Sequence, residues 1–181
     1  ADWASYGRDP GGSRYSPLAE ITPENVRHLE VAWVYRTGDW SDGEGEFGTT
    51  SAFEATPLLV DGTLYVSTPF NRVIALDPQT GEERWAFDPE IDLKADYGNQ
   101  LTSRGVSFWR DPDDPSTGRI FTATNDARLF AVDAVTGQRC TGFGLGGEVD
   151  LDEGVGERRW NGEYQVTSPP AIAGDLVIVG S

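Results

Sequence analysis

An internal repeat of 56 residues constrains this chain more than any other feature. Ala75-Leu76-Asp77-Pro78-Gln79-Thr80-Gly81 recurs as Ala131-Val132-Asp133-Ala134-Val135-Thr136-Gly137, 56 positions further on. Leu64, Ile120 and Leu176 keep the same spacing, and Thr56-Pro57 through Gly62 matches Ser168-Pro169 through Gly174 at twice that offset, 112. A fixed period of this size marks a repeat architecture, in which each unit buries its apolar face against the next. Two units and the opening of a third are visible.

Each unit predicts four strands: one after the Pro, one through the apolar triplet, one before the Asp-x-x-Thr-Gly turn and one after it. A four-stranded repeat of this kind is a propeller blade. In the first unit, Thr56 to Val66 is a hairpin with Asp61-Gly62 at its tip. A turn at Phe70-Asn71-Arg72 leads to a strand ending at Asp77, and Glu83 to Phe87 is the next. The Asp of the repeated turn accepts from backbone N–H groups two and three residues on, and its Gly supplies a positive φ. Trp85 is placed to cover the join between blades. The second copy has Cys140-Thr141 there, with Phe143 a little later, so its docking is expected to be less regular. The period is long for a blade, and Gly38 to Ser51 and Asp88 to Ser103 are the loops that absorb the excess.

Ahead of the repeat, Thr22-Pro23-Glu24 is a helix start, predicting a short helix through about Leu29 that ends beside His28. Val31 to Arg36 reads as a strand with Trp33 and Tyr35 on one face and Ala32 and Val34 on the other. Glu148 to Leu151 reads as a strand with one wet face. The fold class is therefore all-β, a partial propeller of about two and a half four-stranded blades behind a short N-terminal helix.

Composition narrows the partners. The formal charge of −16 would repel a phosphate backbone, so nucleic acid is not expected. Cys140 is the sole cysteine, which rules out an internal disulfide or a thiolate metal cluster and suits a small buried apolar residue. The acidic stretch Glu148, Asp150, Asp152, Glu153 lacks calcium-loop spacing. No apolar run reaches the length of a membrane-crossing helix, and Ala1-Asp2-Trp3 has no signal-peptide shape. If the protein is exported, its targeting segment lies outside this chain.

Several stretches then resemble one family. Asp2-Trp3-Ala4-Ser5-Tyr6-Gly7-Arg8-Asp9, Arg14-Tyr15-Ser16-Pro17-Leu18, Ile21-Thr22, Ala32-Trp33-Val34-Tyr35-Arg36-Thr37-Gly38-Asp39, Glu54-Ala55-Thr56-Pro57, Thr102-Ser103-Arg104-Gly105-Val106-Ser107 and Thr167-Ser168-Pro169-Pro170 follow one another as in dehydrogenases dependent on pyrroloquinoline quinone (PQQ). The likeness is greatest to the membrane-bound glucose and quinate dehydrogenase branch. It implies an eight-bladed propeller with PQQ near the axis and a calcium ion, or magnesium in some members. Family members are several times longer. Residues 1–181 are thus expected to be the N-terminal portion of one propeller domain, cut after Ser181 within an apolar strand, and such a piece alone is expected to aggregate or be marginally stable.

The resemblance implies three cofactor-binding residues. Glu54 opens a strand and reaches the cofactor; its plainer reading is an exposed acid at a strand end. Arg104 offers a guanidinium to a cofactor carboxylate or to the reduced quinone oxygen, with Gly105 allowing close backbone approach; its plainer reading is a surface ion pair. Thr167 offers a hydroxyl to a carboxylate, or caps its own turn. Phe70 departs from the glucose branch, where the position holds His, so glucose itself is doubtful as substrate. The paired cysteines of methanol dehydrogenases have no counterpart in Asn99 to Ser103. The general base and the metal ligands are expected beyond Ser181, leaving no catalytic or metal residue in the chain. The implied reaction is oxidation of a sugar or alcohol, with electrons passing to a respiratory quinone or cytochrome. That implies a periplasmic site and is compatible with an inner-membrane anchor outside this chain. The alternative is a non-catalytic propeller of the same repeat that acts as a binding or assembly module.

Overall fold

The computed structural model describes residues 2–9, 11–157, 159–160 and 162–180. Ser181, where the domain portion was expected to be cut, lies outside them, as does Ala1. The first sheet holds β1 (Leu58–Val60), β2 (Thr63–Ser67), β3 (Val73–Leu76) and β4 (Glu83–Phe87), in that order. The second holds β5 (Ser107–Arg110), β6 (Gly118–Ala123), β7 (Arg128–Asp133) and β8 (Glu148–Asp150). A third begins with β9 (Ala171–Ala173) paired to β10 (Leu176–Ile178). All neighbours in the three sheets are antiparallel. This is the all-β partial propeller that the repeat implies.

Local chemistry fixes the turns. Asp61 and Gly62 have φ of 48° and 67°, the pair of positive values that a two-residue hairpin needs to match strand twist. Asp77 Oδ1 accepts from Gln79 N and Thr80 N, while Asp133 Oδ1 accepts from Val135 N and Thr136 N. The same carboxylates thus close the same turn in both blades. Arg84, bonded to the other Asp77 oxygen, together with these contacts holds the Asp77 carboxyl below its usual range.

The sheets pack face to face. Leu58, Val60, Tyr65, Val73, Ala75 and Phe87 of the first meet Val106, Ile120, Phe130, Val132 and Ala134 of the second. The second meets the third through Ala123, Leu129 and Val166, with Val177 and Val179 against them. Trp85 does cover the first join: its Nε1 donates to Ala134 O at 3.2 Å and its ring lies over Gly137. Trp33 repeats that contact one sheet earlier, donating to Pro78 O at 3.1 Å with its ring over Gly81.

A Cβ on Gly137 would stand 2.6 Å from two indole carbons, and its φ is +70°. Gly137→Ala is expected to lower stability by about 2–3 kcal/mol through backbone strain and a displaced indole. Gly62→Ala, also left-handed but facing open space, is the control and should cost about 1 kcal/mol. Equal shifts in the denaturant midpoint would refute the packing account.

Three expectations need correction. The helix is a single 3-10 turn, Val26–His28, with no side-chain cap from Asn25 and no buried residue. Too few apolar contacts anchor it to extend further. Val31 to Arg36 forms no ladder. It is extended and alternates as expected, with Trp33 and Tyr35 half-buried and Ala32 and Val34 exposed, but among the described residues no strand pairs with it. Cys140 is only half-buried, and burial raises its thiol above the ordinary value.

The second blade is the less regular one, as expected. After the turn the pairing is brief: Arg139 bridges to Val132 and Cys140 N donates to Ala131 O at 2.9 Å. The chain then loops through Phe143, which packs edge-on to Phe121 at 5.2 Å, and returns as β8. Among the described residues no helix is long and apolar enough to cross a membrane.

Tyr35 links the extended segment to β4 by donating its hydroxyl to Glu83. Burial, then this bond, push its pKa up to about 12. The neutral phenol is the form the folded state favours, so its contribution is complete below pH 10 and lost as pH rises towards 12. Stability is expected to fall across that window, and Tyr35→Phe to flatten the fall; an unchanged slope would refute the assignment.

Candidate functional site

The three residues singled out from sequence lie in the runs that lead into the first strand of successive sheets: Glu54 before β1, Arg104 before β5 and Thr167 before β9. The fold brings them together. Arg104 Nε lies 3.2 Å from Glu54 Oε2, and Arg104 Nη1 donates to Thr167 Oγ1. The side chains of Glu54 and Arg104 remain 43% and 48% exposed. Each therefore keeps polar surface for a ligand, and among the described residues Arg104 Nη2 has no hydrogen-bond partner.

Main-chain bonds hold this row of residues. Arg104 N donates to Thr167 O at 2.8 Å, and Thr56 N donates to Arg104 O at 3.1 Å. Upstream, Leu101 pairs in parallel with Ser51 and exchanges bonds with Thr50 O and Ala52 N. Gly105 follows Arg104 with φ +143°, and an added Cβ would come 3.2 Å from Thr56 O. A side chain here would be strained at this φ and would press on Thr56 O.

The two long loops expected from the sequence are tied to the β2–β3 turn. Arg72 forks onto Asp39 through Nη2 at 2.6 Å and Nε at 3.0 Å, and also bonds Thr37 O. The Asp39 bond keeps the guanidinium pKa raised against the opposing effect of burial. This pair ties the segment from Thr37 onward to the β2–β3 turn. Phe70, the departure noted above, packs edge-on to Phe47 at 5.4 Å and into a cluster of Ile91, Tyr97 and Leu101. It closes the 88–103 loop. Sequence reading did not find Asn71 and Asn125, both fully buried at turns near this row. The signal available was polar amides within turn segments otherwise bounded by buried strands.

Chemically, the row offers one cation, one carboxylate and a hydroxyl on a chain of net charge −16. Arg104 is therefore a local positive site in an acidic surface, suited to a planar anion. Among the described residues no group of three or more His, Cys, Asp or Glu side chains is placed to hold a metal ion.

Residues 3–181 match the family described as glucose/ethanol/alcohol dehydrogenase, β-propeller domain, of the PQQ class. Quinoprotein glucose dehydrogenase A of Acinetobacter calcoaceticus is 37% identical over 99% of this chain and 24% of its own length. The glycerol dehydrogenase large subunit of Gluconobacter oxydans is 39% identical over 98% of this chain and 24% of its own. Among solved structures, the quinohemoprotein alcohol dehydrogenase of Comamonas testosteroni superposes with a TM-score of 0.73 at 30% identity, covering 99% of this chain and 23% of that one. The chain thus spans about a quarter of the length of the curated relatives it matches.

Proposed function

The chain belongs to the PQQ-dependent dehydrogenase β-propeller family, and from that premise we propose that it forms part of an enzyme oxidising a sugar or alcohol, with Glu54, Arg104 and Thr167 as one wall of the PQQ site. The observation that carries this reading is their convergence from three successive blades, through the Glu54–Arg104 pair and the Arg104–Thr167 bond. The residues fit the group. A guanidinium suits one of the carboxylates of PQQ, the Thr167 hydroxyl suits another oxygen, and Gly105 removes the side chain that would hold the blades apart.

When bound, PQQ supplies an ortho-quinone that takes up two electrons from the substrate. Arg104 anchors the anion and offsets negative charge that develops on it. Glu54 fixes the guanidinium plane, and Thr167 donates its hydroxyl from the opposite side. On this reading the metal ligands and the general base come from the rest of the full-length polypeptide. Delivery of electrons to a respiratory quinone or cytochrome accords with a periplasmic enzyme at the inner membrane.

The test is reconstitution of the full-length polypeptide that contains this chain with PQQ and calcium, followed by dye reduction on a panel of sugars and alcohols. Reduction that requires PQQ is expected. Absence of both PQQ binding and reduction would favour the non-catalytic propeller. Because Phe70 has neither a proton to donate nor a titrating group, glucose is expected to rank below other polyols.

A further inference from the structure

Asn71 and Asn125 sit on the β2–β3 and β6–β7 turns, are fully buried, and meet each other: Asn125 N donates to Asn71 Oδ1 at 2.7 Å. Asn71 Nδ2 donates onward to Thr102 O at 3.3 Å. Asn125 Nδ2 reaches Gln100 O at 3.5 Å, the limit of a hydrogen bond. Ser103 Oγ donates to Ser67 Oγ at 2.8 Å, and both serines are buried. Three contacts from two different blades therefore end on residues 100–103, immediately before Arg104. Asn71 has φ +63°, a conformation that Asn tolerates and most residues do not. The sheets themselves need no buried amide here, since apolar packing already joins them.

We infer that Asn71, with Asn125 and Ser103, is a positioning residue for Arg104: the buried amide pair fixes the backbone of residues 100–103 and so sets where the guanidinium stands on the wall. The inference rests on the cofactor reading of Arg104. A half-exposed Arg has many rotamers, and a fixed main chain reduces the space they sample. A ligand then meets a guanidinium already held at the depth where Glu54 and Thr167 contact it.

The test uses the full-length protein freed of cofactor, with PQQ affinity measured by titration and amide hydrogen exchange followed across residues 100–105. Asn71→Gly keeps the positive φ and removes both side-chain bonds. It is expected to raise the PQQ dissociation constant about 10-fold and to speed exchange in 100–105. In an Arg104→Ala background the same change should add less than about 2-fold, because the residue it acts through is gone. Ser103→Ala, which removes the bond to Ser67 and the 3.5 Å contact with Gly105 O, provides a milder variant if Asn71→Gly does not fold; it should raise the constant about 3-fold. A lowered melting temperature with unchanged PQQ affinity in either variant would overturn the positioning role, as would fully additive effects in the double variant. If Arg104→Ala alone leaves PQQ affinity unchanged, the cofactor reading falls, and this inference with it.

Discussion

Arg104→Ala is expected to weaken PQQ binding by about 10- to 100-fold, the equivalent of about 1.5–3 kcal/mol for a lost charge-assisted hydrogen bond. Two effects act together. The ligand loses its cation, and Glu54, which lies 3.2 Å from Arg104 Nε, is left without its partner facing an anion. The second effect is separable. Glu54→Gln added to Arg104→Ala removes the uncompensated carboxylate and should recover part of the affinity. Arg104→Lys keeps the charge and loses the planar fork, so it should fall between the wild type and Ala. Equilibrium titration of the cofactor-free protein decides the matter: an affinity within twofold of wild type for Arg104→Ala would remove Arg104 from the site.

The largest effect on stability should come from Phe130→Ala, at about 3–5 kcal/mol. Phe130 is fully buried at the join of the first two blades, 5.3 Å from the ring of Phe87. Two guanidiniums lie near its ring, Arg128 at 4.9 Å and Arg139 at 4.8 Å from its centroid. Both pair with Glu148, Arg128 at 3.7 Å and Arg139 at 3.0 Å. Truncation leaves a cavity between sheets that close on each other, and it also removes the aromatic surface against which both cations are held. Phe130→Leu keeps most of the volume and should cost about 1.5 kcal/mol. The check is the urea midpoint at constant m-value. A loss below about 1 kcal/mol for Ala would mean that the blades repack freely, contrary to the close packing of such interiors.

The blades were legible because their determinants are local. Asp77 and Asp133 close their own turns, Asp61-Gly62 meets the backbone demand of its own hairpin, and strands of period two need only their own pattern. The three converging residues were singled out for another reason: Glu54, Arg104 and Thr167 lay in stretches whose order resembles a known family. Their mutual contact was not predicted, because it depends on how three blades stack. Val31 to Arg36 shows the limit of pattern reading. Its alternation is that of a strand, and Trp33 and Tyr35 do face inward. Pairing, however, is a property of a neighbour, and alternation carries no information about one. Asn71 and Asn125 were missed on similar grounds: an amide in a turn reads as a solvated cap until the packing that buries it is known.

The two main-chain bonds that flank Arg104 bear on the order in which this protein becomes competent. Glu54 and Thr167 are brought to Arg104 from 50 and 63 residues away, contacts that close only after the intervening sheets exist. Such long closures form late and slowly. On the proposed reading of Glu54, Arg104 and Thr167 as a wall of the PQQ site, no single blade contains that wall, so a nascent chain with one sheet folded has nothing to offer the cofactor. The second sheet must dock before Thr56 N finds Arg104 O, and the run leading to the third must arrive before Arg104 N finds Thr167 O. Cofactor capture therefore reports assembly. A ligand that binds only the docked arrangement draws the blades together by mass action, and the cofactor-free protein should show its earliest protease cuts where neighbouring blades part.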